Sequence, residues 1–449
     1  PPPGKPRPLS LPRGDTFQLA NGLTVIHHRK PDLPLVSMEL ALRSGNEANP
    51  PGKPGLTSFT ADMLDEGTAS RSSLQIADEI ARLGATLATG ATADASTVQL
   101  FSLKKNFAKA ADIFADVVLN PNFPPEEVER KRASRLGELV QSRENPSVVA
   151  AHALLAALYG PSHPYGYPTL GSEAAVNSTS RQDLAAFWQR HYAPNNAALV
   201  VSGDISRGEA KALAESLFGK WQRKTIAVAE SAPPATTAAR LVIVDKPGAP
   251  QTALRLGAVG PDRKTPDYAA LEVMNAALGG LFTSRINVKL REEKGYTYGV
   301  RSAFQYRRAP GPFEIRTSVR TDVTGPAVEE IFNEIRGVKE KPITGAELKK
   351  ARDSQLLSLP GAFETTAGIA SQLADTFVYE LGADYYSKLP AILRSVDGKA
   401  VAQAGNRYLA KENLIVVGVG DRAKIEAQLS KLKLAPIEYR DAAGKITNQ

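Results

Sequence analysis

The sequence predicts an α+β fold made of two similar units. Strand-like and helix-like runs occur in both halves of the chain without strict alternation, which favours an α+β fold over a doubly wound sheet. Two short patterns recur in the same order. They are the helical stretches 127–132 and 347–352, and apolar strands followed by Gly-Asp at 203–204 and 420–421. Such strands are common, so coincidence is one interpretation, and a duplicated unit of about 210 residues is the other.

The composition is that of a globular protein large enough to bury a sizeable core. Of the 449 residues, 42% are hydrophobic and 23% are charged, which excludes wholesale disorder. The absence of cysteine excludes disulfides, thiolate metal sites and a cysteine nucleophile. The net charge of +8 is spread thinly and favours a mixed solvated surface over a nucleic-acid track. We expect no transmembrane segment, because no apolar run of about 18 residues occurs.

Turn and linker signals divide the chain into four parts. Residues 1–14 are rich in proline and are predicted to form an extended tether. An N-terminal domain is predicted over 15–221, and a C-terminal domain over 239–449. Between them, residues 222–238 are small, polar and proline-bearing, which predicts a linker. Strands are predicted from apolar and β-branched runs at 23–26, 35–42 and 241–244.

Two predicted helices of the first half carry polar residues of interest. The first covers 56–66 and lies between two glycines, with an apolar stripe along one face. On a different face, Ser58 and Asp62 lie four residues apart, with Ala61 beside Asp62. The second helix covers 125–143 and begins with a proline and two glutamates, as helix N-termini prefer.

These segments are similar to the pitrilysin/insulinase-type inverted-zincin metallopeptidases, a family that includes the mitochondrial processing peptidase. The family has an Asn-Gly-Leu strand like 21–23, and a zinc helix that begins Gly-Leu like 55–56 and ends Gly-Thr like 67–68. In active members this helix carries His-x-x-Glu-His, and a further glutamate about 76 residues on completes the zinc site. In this chain the motif positions fall on Ser58, Ala61, Asp62 and Glu138.

Those four residues form a degenerate zinc motif. Zinc favours imidazole ligands, and a glutamate base deprotonates the attacking water. Ser58 is a poor ligand, Ala61 has no proton-accepting group, and Asp62 with Glu138 offers only two carboxylates. The five histidines form no His-x-x-Glu-His or His-Glu-x-x-His motif anywhere in the chain. We therefore expect this chain to bind no catalytic zinc and to hydrolyse no peptide by itself.

The second half keeps a different feature of that family. The segments 284–285 and 290–298 look like the family's Ser-Arg and Leu-Arg-Glu…Gly-x-x-Tyr patterns. The resemblance implies that Arg291 and Tyr298, seven residues apart, hold the substrate near the scissile bond. An arginine fork can bind a substrate carbonyl, and a tyrosine hydroxyl can donate to an oxyanion.

Each of these residues also has a structural interpretation. Taken alone, Arg291 is a solvated charge at a helix end, and Tyr298 is an aromatic residue at the edge of a core. Gly279 and Gly280 are either a helix terminator or a substrate-contact loop like that of the non-catalytic subunit of the processing peptidase. Without zinc-ligating partners, Glu138 is an ordinary surface or salt-bridged carboxylate.

The resemblance implies two α+β domains, each an antiparallel sheet covered by helices, that form a clamshell. It also implies that this chain is the non-catalytic, peptide-binding subunit of a heterodimeric zinc metallopeptidase. This chain would supply Arg291 and Tyr298, and a homologous partner subunit would supply the zinc and the general base. The alternatives are a structural core-type subunit of a larger complex and a stand-alone peptide-binding protein. The missing start methionine, the proline-rich start and the lack of cysteine favour a bacterial periplasmic location over a cytoplasmic or organellar one.

Overall fold

The computed structural model describes residues 9–226, 234 and 239–447, and two six-stranded sheets form its framework. Parts of the predicted tether and linker, namely 1–8, 227–233 and 235–238, lie outside the described residues. The predicted α+β class with two similar domains is confirmed. The strands are β1 (Asp15–Gln18), β2 (Thr24–Arg29), β3 (Leu35–Leu42), β4 (Thr86–Ala91), β5 (Ser96–Leu103), β6 (Ala197–Gly203), β7 (Leu241–Asp245), β8 (Gln251–Val259), β9 (Val300–Phe304), β10 (Pro312–Arg320), β11 (Ile415–Gly420) and β12 (Ile437–Arg440).

The two sheets share one strand order over five strands. The first is ordered β1-β2-β6-β3-β5-β4 and the second β12-β7-β11-β8-β10-β9. Strand β2 is parallel to β6, as β7 is to β11, and the other pairs of this common core are antiparallel. The sheets are therefore mixed rather than purely antiparallel, because the long helical connections before β6 and β11 permit a parallel return. The equivalence of β6 and β11 confirms the duplicated unit.

Helices cover the sheets in the same duplicated order. Two π-helical turns, Ala276–Gly280 and Val288–Glu293, extend helices α9 and α10. Within the described part of the chain, no helix has both the length and the apolar character needed to cross a membrane. The α-helices are α1 (Leu56–Asp62), α2 (Ser73–Arg82), α3 (Lys104–Leu119), α4 (Pro125–Glu144), α5 (Pro146–Tyr159), α6 (Glu173–Ser178), α7 (Arg181–His191), α8 (Arg207–Phe218), α9 (Tyr268–Asn275), α10 (Arg285–Asn287), α11 (Thr324–Glu340), α12 (Gly345–Ala362), α13 (Thr366–Val378), α14 (Tyr385–Ser395), α15 (Gly398–Tyr408) and α16 (Arg422–Ser430).

One helix from each half packs against the sheet of the other half. Helix α5 packs on β8 and β11 of the second sheet, whereas α13 packs on β3 and β6 of the first. Helix α5 contains no Asp, Glu, Lys or Arg and is apolar on nearly all sides, as expected of a buried helix. Gly257 of β8 permits its close approach, because a Cβ there would lie 2.8 Å from Leu154 Cδ2. The segments 15–221 and 239–449 thus each contain one sheet but interlock through these helices.

Polar contacts fix the register of α13 on the first sheet. The hydroxyl groups of Ser37 and Thr366 lie 2.8 Å apart, and Ser371 Oγ donates to the carboxylate of Glu39 at 2.7 Å. Residues 9–14, the described part of the predicted extended tether, also pack against α13, because the apolar side chain of Leu11 is buried in the same core as that helix.

A buried carboxylate joins the two halves at another point. Glu47 Oε1 accepts hydrogen bonds from the Gly45 amide at 3.1 Å and from Arg308 of the second half at 3.0 Å. Its Oε2 is buried and has no hydrogen-bond partner among the described residues. Burial raises the pKa of Glu47 to about 7, although the Gly45 amide and Arg308 act in the opposite direction. The junction therefore contains a group that titrates near neutral pH.

We expect Leu154→Ala to lower the free energy of unfolding by about 2–5 kcal/mol, because it opens a cavity between α5 and β8. Since the two elements belong to different halves, we expect a single urea-unfolding transition whose midpoint shifts to lower urea concentration. Leu357→Ala, at an exposed leucine, is the control and should change stability by less than about 0.5 kcal/mol. A split transition in which only one half loses stability would contradict the interlocked arrangement.

We expect stability to depend on pH through Glu47. Its folded pKa lies above the ordinary value of 4.5, so the folded state holds the proton more tightly and loses stability as pH rises from about 4.5 to about 7. We therefore compare the free energy of unfolding of wild type with that of Glu47→Gln by urea unfolding. The wild-type value relative to the variant should fall by about 1–3 kcal/mol between pH 5 and pH 8. Glu144→Gln, at an exposed carboxylate, is the control. A difference that does not change with pH for Glu47→Gln would show that Glu47 is not the titrating group.

Candidate functional site

The degenerate zinc motif lies on α1, which packs against the loop at 169–171. Gly55 precedes the helix with a φ of 90°, and a Cβ there would lie 2.6 Å from the carbonyl oxygen of Leu170. The helix ends at Asp62, four residues before its predicted end, because the Met63 and Leu64 amides bond to carbonyls only three residues back. Its last turns are therefore tight, and the motif positions form a short, closely packed segment.

The guanidinium of Arg135, on α4, fills the space between Ser58 and Asp62. Its Nη1 donates to Asp62 Oδ2 at 2.5 Å, and its Nη2 donates to Ser58 Oγ at 2.8 Å. The same Nη2 donates to the Leu170 carbonyl at 2.9 Å. The Ser58 hydroxyl in turn donates to the Thr169 carbonyl at 2.6 Å. Arg135 is only 2% exposed, so this cluster is internal to the protein.

The electrostatics of the cluster are those of a largely buried ion pair. Burial raises the pKa of Asp62 and the nearby Glu138 acts in the same direction, whereas Arg135 and Lys131 oppose the change. Burial lowers the pKa of Arg135, which the charge of Asp62 opposes. The Phe59 ring, whose centre lies 4.9 Å from the guanidinium carbon, adds a cation–π contact. The side-chain cation of Arg135 thus binds two of the three polar residues of the motif, Ser58 and Asp62.

These residues do not fit a zinc ion. The Ser58 hydroxyl and the Asp62 carboxylate are both engaged by Arg135, whose positive charge would repel a second cation. Ala61 is buried and offers no donor atom, and Glu138 is exposed and bonds to Ser134 at 3.3 Å. Across residues 9–226, 234 and 239–447, no group of three or more His, Asp or Glu side chains is placed to hold a metal.

Arg135 is the residue of this site that motif comparison does not single out. One signal for it is present in the sequence. The buried residues of α4 are Val128, Arg135 and Leu139, and this spacing places an arginine in an apolar stripe. A charge at such a position needs a partner of opposite charge, which here is the partly buried Asp62.

Arg291 and Tyr298 lie on consecutive segments joined by Gly295, which has a φ of 62°. Arg291 is in the second π-helical turn, and its guanidinium carbon lies 4.4 Å from the centre of the Phe282 ring. Tyr298 lies in the bend before β9 and is 91% exposed, so it is not the core-edge aromatic of the structural interpretation. Within the described residues, no hydrogen bond or ring contact joins Arg291 to Tyr298 directly. Their convergence on a substrate stays a prediction.

Gly279 and Gly280 end the first π-helical turn, which packs against β9. A Cβ on Gly279 would lie 2.3 Å from Ser302 Oγ, and one on Gly280 would lie 3.0 Å from Asn275 Nδ2. Close packing therefore explains the glycine at 279 without any substrate contact. The substrate-binding role of the two glycines stays a prediction.

We expect Arg135→Ala to lower the free energy of unfolding by about 3 kcal/mol, because it leaves the partly buried Asp62 without its partner. Arg82→Ala, which breaks an exposed helix-surface pair with Asp78, should cost less than about 0.5 kcal/mol in the same urea titration. Adding EDTA should leave the wild-type unfolding midpoint unchanged, since the cation of the site is a side chain. A midpoint that falls on chelation would contradict this account of the site.

Two protein-family models match the chain. The model described as insulinase (peptidase family M16) matches residues 24–173, and the model described as peptidase M16 inactive domain matches residues 178–355. Similar curated proteins from Mycobacterium leprae and Bacillus subtilis are each named an uncharacterized zinc protease. The first is 27% identical over 86% of this chain and 86% of its own length. The second is 25% identical over 78% of this chain and 84% of its own length.

Similar solved structures include a peptidase M16 inactive domain from Pseudomonas fluorescens, which is 29% identical with a TM-score of 0.85 and covers 91% of this chain and 98% of that one. A protease from Helicobacter pylori is 20% identical and shares the fold with a TM-score of 0.86, covering 91% of this chain and 100% of that one. The two matched family models together span well over half of the chain. The resemblance seen in the sequence is confirmed: the chain belongs to the pitrilysin-like M16 peptidase family and lacks the family's zinc motif.

Proposed function

We propose that this chain is the non-catalytic, substrate-binding subunit of a heterodimeric zinc metallopeptidase. The observation that supports it best is the buried guanidinium of Arg135 in the degenerate motif, set against the accessible side chains of Arg291 and Tyr298. A chain without metal ligands and a base has no means to activate water. A chain with an accessible arginine and tyrosine still has the groups that bind a peptide and its developing negative charge.

In this proposal the chain contributes two groups to a shared active site. The guanidinium of Arg291 has one carboxylate contact, with the neighbouring Glu292 at 3.3 Å, and so remains available to a peptide carbonyl. The hydroxyl of Tyr298 has no hydrogen-bond partner within the described part of the chain, and donates to the oxyanion that forms at the scissile carbonyl. A homologous partner subunit with an intact His-x-x-Glu-His motif holds the zinc and the general base.

The rival roles make different predictions. A structural core-type subunit would be indifferent to substitution at Arg291 or Tyr298. A stand-alone peptide-binding protein would need no partner and would elute without zinc. The periplasmic location inferred from the sequence stays a prediction, and fractionation of the native cells is the measurement that bears on it.

The test begins with a pull-down of the chain from native extract and zinc analysis of the complex that elutes. In that complex, we expect Tyr298→Phe to lower kcat by about 100-fold, because it removes one donor to the oxyanion, and Arg291→Ala chiefly to raise KM. The zinc content should be unchanged in both variants. Arg301→Ala, at an exposed arginine of β9, is the matched control and should behave as wild type.

Two results would count against the proposal. Full activity of the complex in both the Arg291 and Tyr298 variants would remove the role of this chain in binding substrate. Stoichiometric zinc in the isolated chain, together with peptide cleavage by the same purified material, would overturn the assignment of a non-catalytic subunit.

A further inference from the structure

One buried side chain ties together the two exposed segments that flank Arg291. Asn287 is 0% exposed, and its Nδ2 donates to the carbonyl of Phe282 at 2.6 Å. Its Oδ1 accepts from the amide of Val300 at 3.0 Å. Phe282 lies in the turn before α10, and Val300 begins β9 two residues after Tyr298. Since both ends of the amide are used, Asn287 fixes these segments relative to each other.

Hydroxyl groups hold the backbone on both sides of Tyr298. Thr297 Oγ1 donates to the carbonyl of Ser318 at 2.8 Å and accepts from the amide of Gly299 at 3.1 Å. Thr317 Oγ1 donates to the carbonyl of Gly299 at 3.0 Å. The residues that flank Tyr298 are therefore attached to β10, while the tyrosine side chain remains exposed. An exposed aromatic on a fixed backbone has little entropy to lose on binding a partner.

Phe282 has the same combination of a fixed backbone and an exposed ring. Its side chain is 51% exposed, and the guanidinium of Arg291 lies against the ring. Among the aromatic residues that the structure describes, Phe282 and Tyr298 are the two that are more than half exposed. Both occur next to Arg291, and Asn287 links their segments. This coincidence points to one binding surface rather than to two unrelated surface residues.

We propose that Phe282 is a specificity-determining residue for peptides bound at Arg291 and Tyr298, and that Asn287 is the residue that positions it. The inference rests on the proposed function and names its substrate class, extended peptides with an aromatic or large aliphatic residue beside the bound carbonyl. The accessible ring of Phe282 receives that apolar side chain. The neighbouring guanidinium of Arg291 takes the carbonyl and repels a basic side chain at the same position.

The test uses four fluorescein-labelled octapeptides that differ only in one central residue, which is Phe, Leu, Ala or Lys. In anisotropy titrations with the purified complex, from which EDTA has removed zinc so that no peptide is cleaved, we expect the Phe and Leu peptides to bind about ten-fold more tightly than the Ala peptide, and the Lys peptide to bind least. Phe282→Ala should abolish the preference for the Phe and Leu peptides over the Ala peptide. Arg291→Ala should weaken the binding of the uncharged peptides.

Asn287→Ala should also remove the preference and should speed hydrogen exchange at the Val300 amide, because the two segments are released. Asn287→Asp keeps an oxygen acceptor for the Val300 amide but lacks the amide group that donates to the Phe282 carbonyl. Compared with Asn287→Ala, it should therefore slow hydrogen exchange at Val300 without holding the Phe282 segment in place. Asn196→Ala is the control, since this buried amide bonds to Ser44 and His191 of the first half. It should lower stability without changing the ratio of affinities.

The outcomes separate this inference from the proposed function. If Phe282→Ala keeps the Phe-to-Ala ratio while Arg291→Ala still weakens binding, the specificity role is wrong and the peptide-binding role stands. If the wild-type complex binds none of the four peptides, both are wrong. An Asn287→Ala variant with unchanged exchange at Val300 and an unchanged affinity ratio would overturn the positioning role alone.

Discussion

The ion pair between Arg135 and Asp62 connects the two helices on which a zinc site of this family would be built. The arginine lies on α4 and the aspartate on α1, and the same guanidinium also reaches Ser58 and the Leu170 carbonyl. A guanidinium offers five donors in a rigid plane, so one side chain can serve several segments at once. Because the pair is largely desolvated, much of its attraction is offset by the cost of burial. Its main effect is to fix the relative position of the helices.

This arrangement gives Ser58 and Asp62 polar partners without a metal ion, and it leaves only the buried Nε of Arg135 without a hydrogen-bond partner among the described atoms of that guanidinium. Adding imidazoles at positions 58 and 62 would leave Arg135 buried without a carboxylate partner and with a cation as its neighbour. A buried arginine in that state is strongly unfavourable. A metal-binding version of this chain therefore needs concerted changes at the motif and at Arg135. The degenerate motif is thus part of the packing of α1 and α4, and it involves Arg135 as well as the motif residues themselves.

Much of the fold can be predicted from local sequence signals. The features that cannot be predicted depend on contacts between distant parts of the chain. The equivalence of β6 and β11 is visible in the recurring Gly-Asp strands, and the start of α4 in its proline and glutamates. The exchange of α5 and α13 is not visible, since periodicity identifies an apolar face but not the sheet that covers it. The parallel strand pairs and the burial of Leu11 are likewise decided by tertiary contacts. At the site, motif spacing locates Ser58 and Asp62, whereas Arg135 requires knowing which helix faces them.

The two candidate sites differ in how their side chains contribute to folding. Two tyrosines of the core, Tyr192 and Tyr159, belong to neither site and serve as a comparison. They are fully buried, so their rings contribute the free energy of burying a large apolar surface. Tyr298 is 91% exposed and contributes almost none of it, although hydrogen bonds of Thr297 and Thr317 hold its backbone in place. The fold therefore maintains the position of a side chain from which it gains little stability. In the motif on α1 the reverse holds, because the hydroxyl of the buried Ser58 is used in hydrogen bonds within the interior. Ser58 and Ala61 of the degenerate motif therefore belong to the packed interior, whereas Tyr298 remains on the surface.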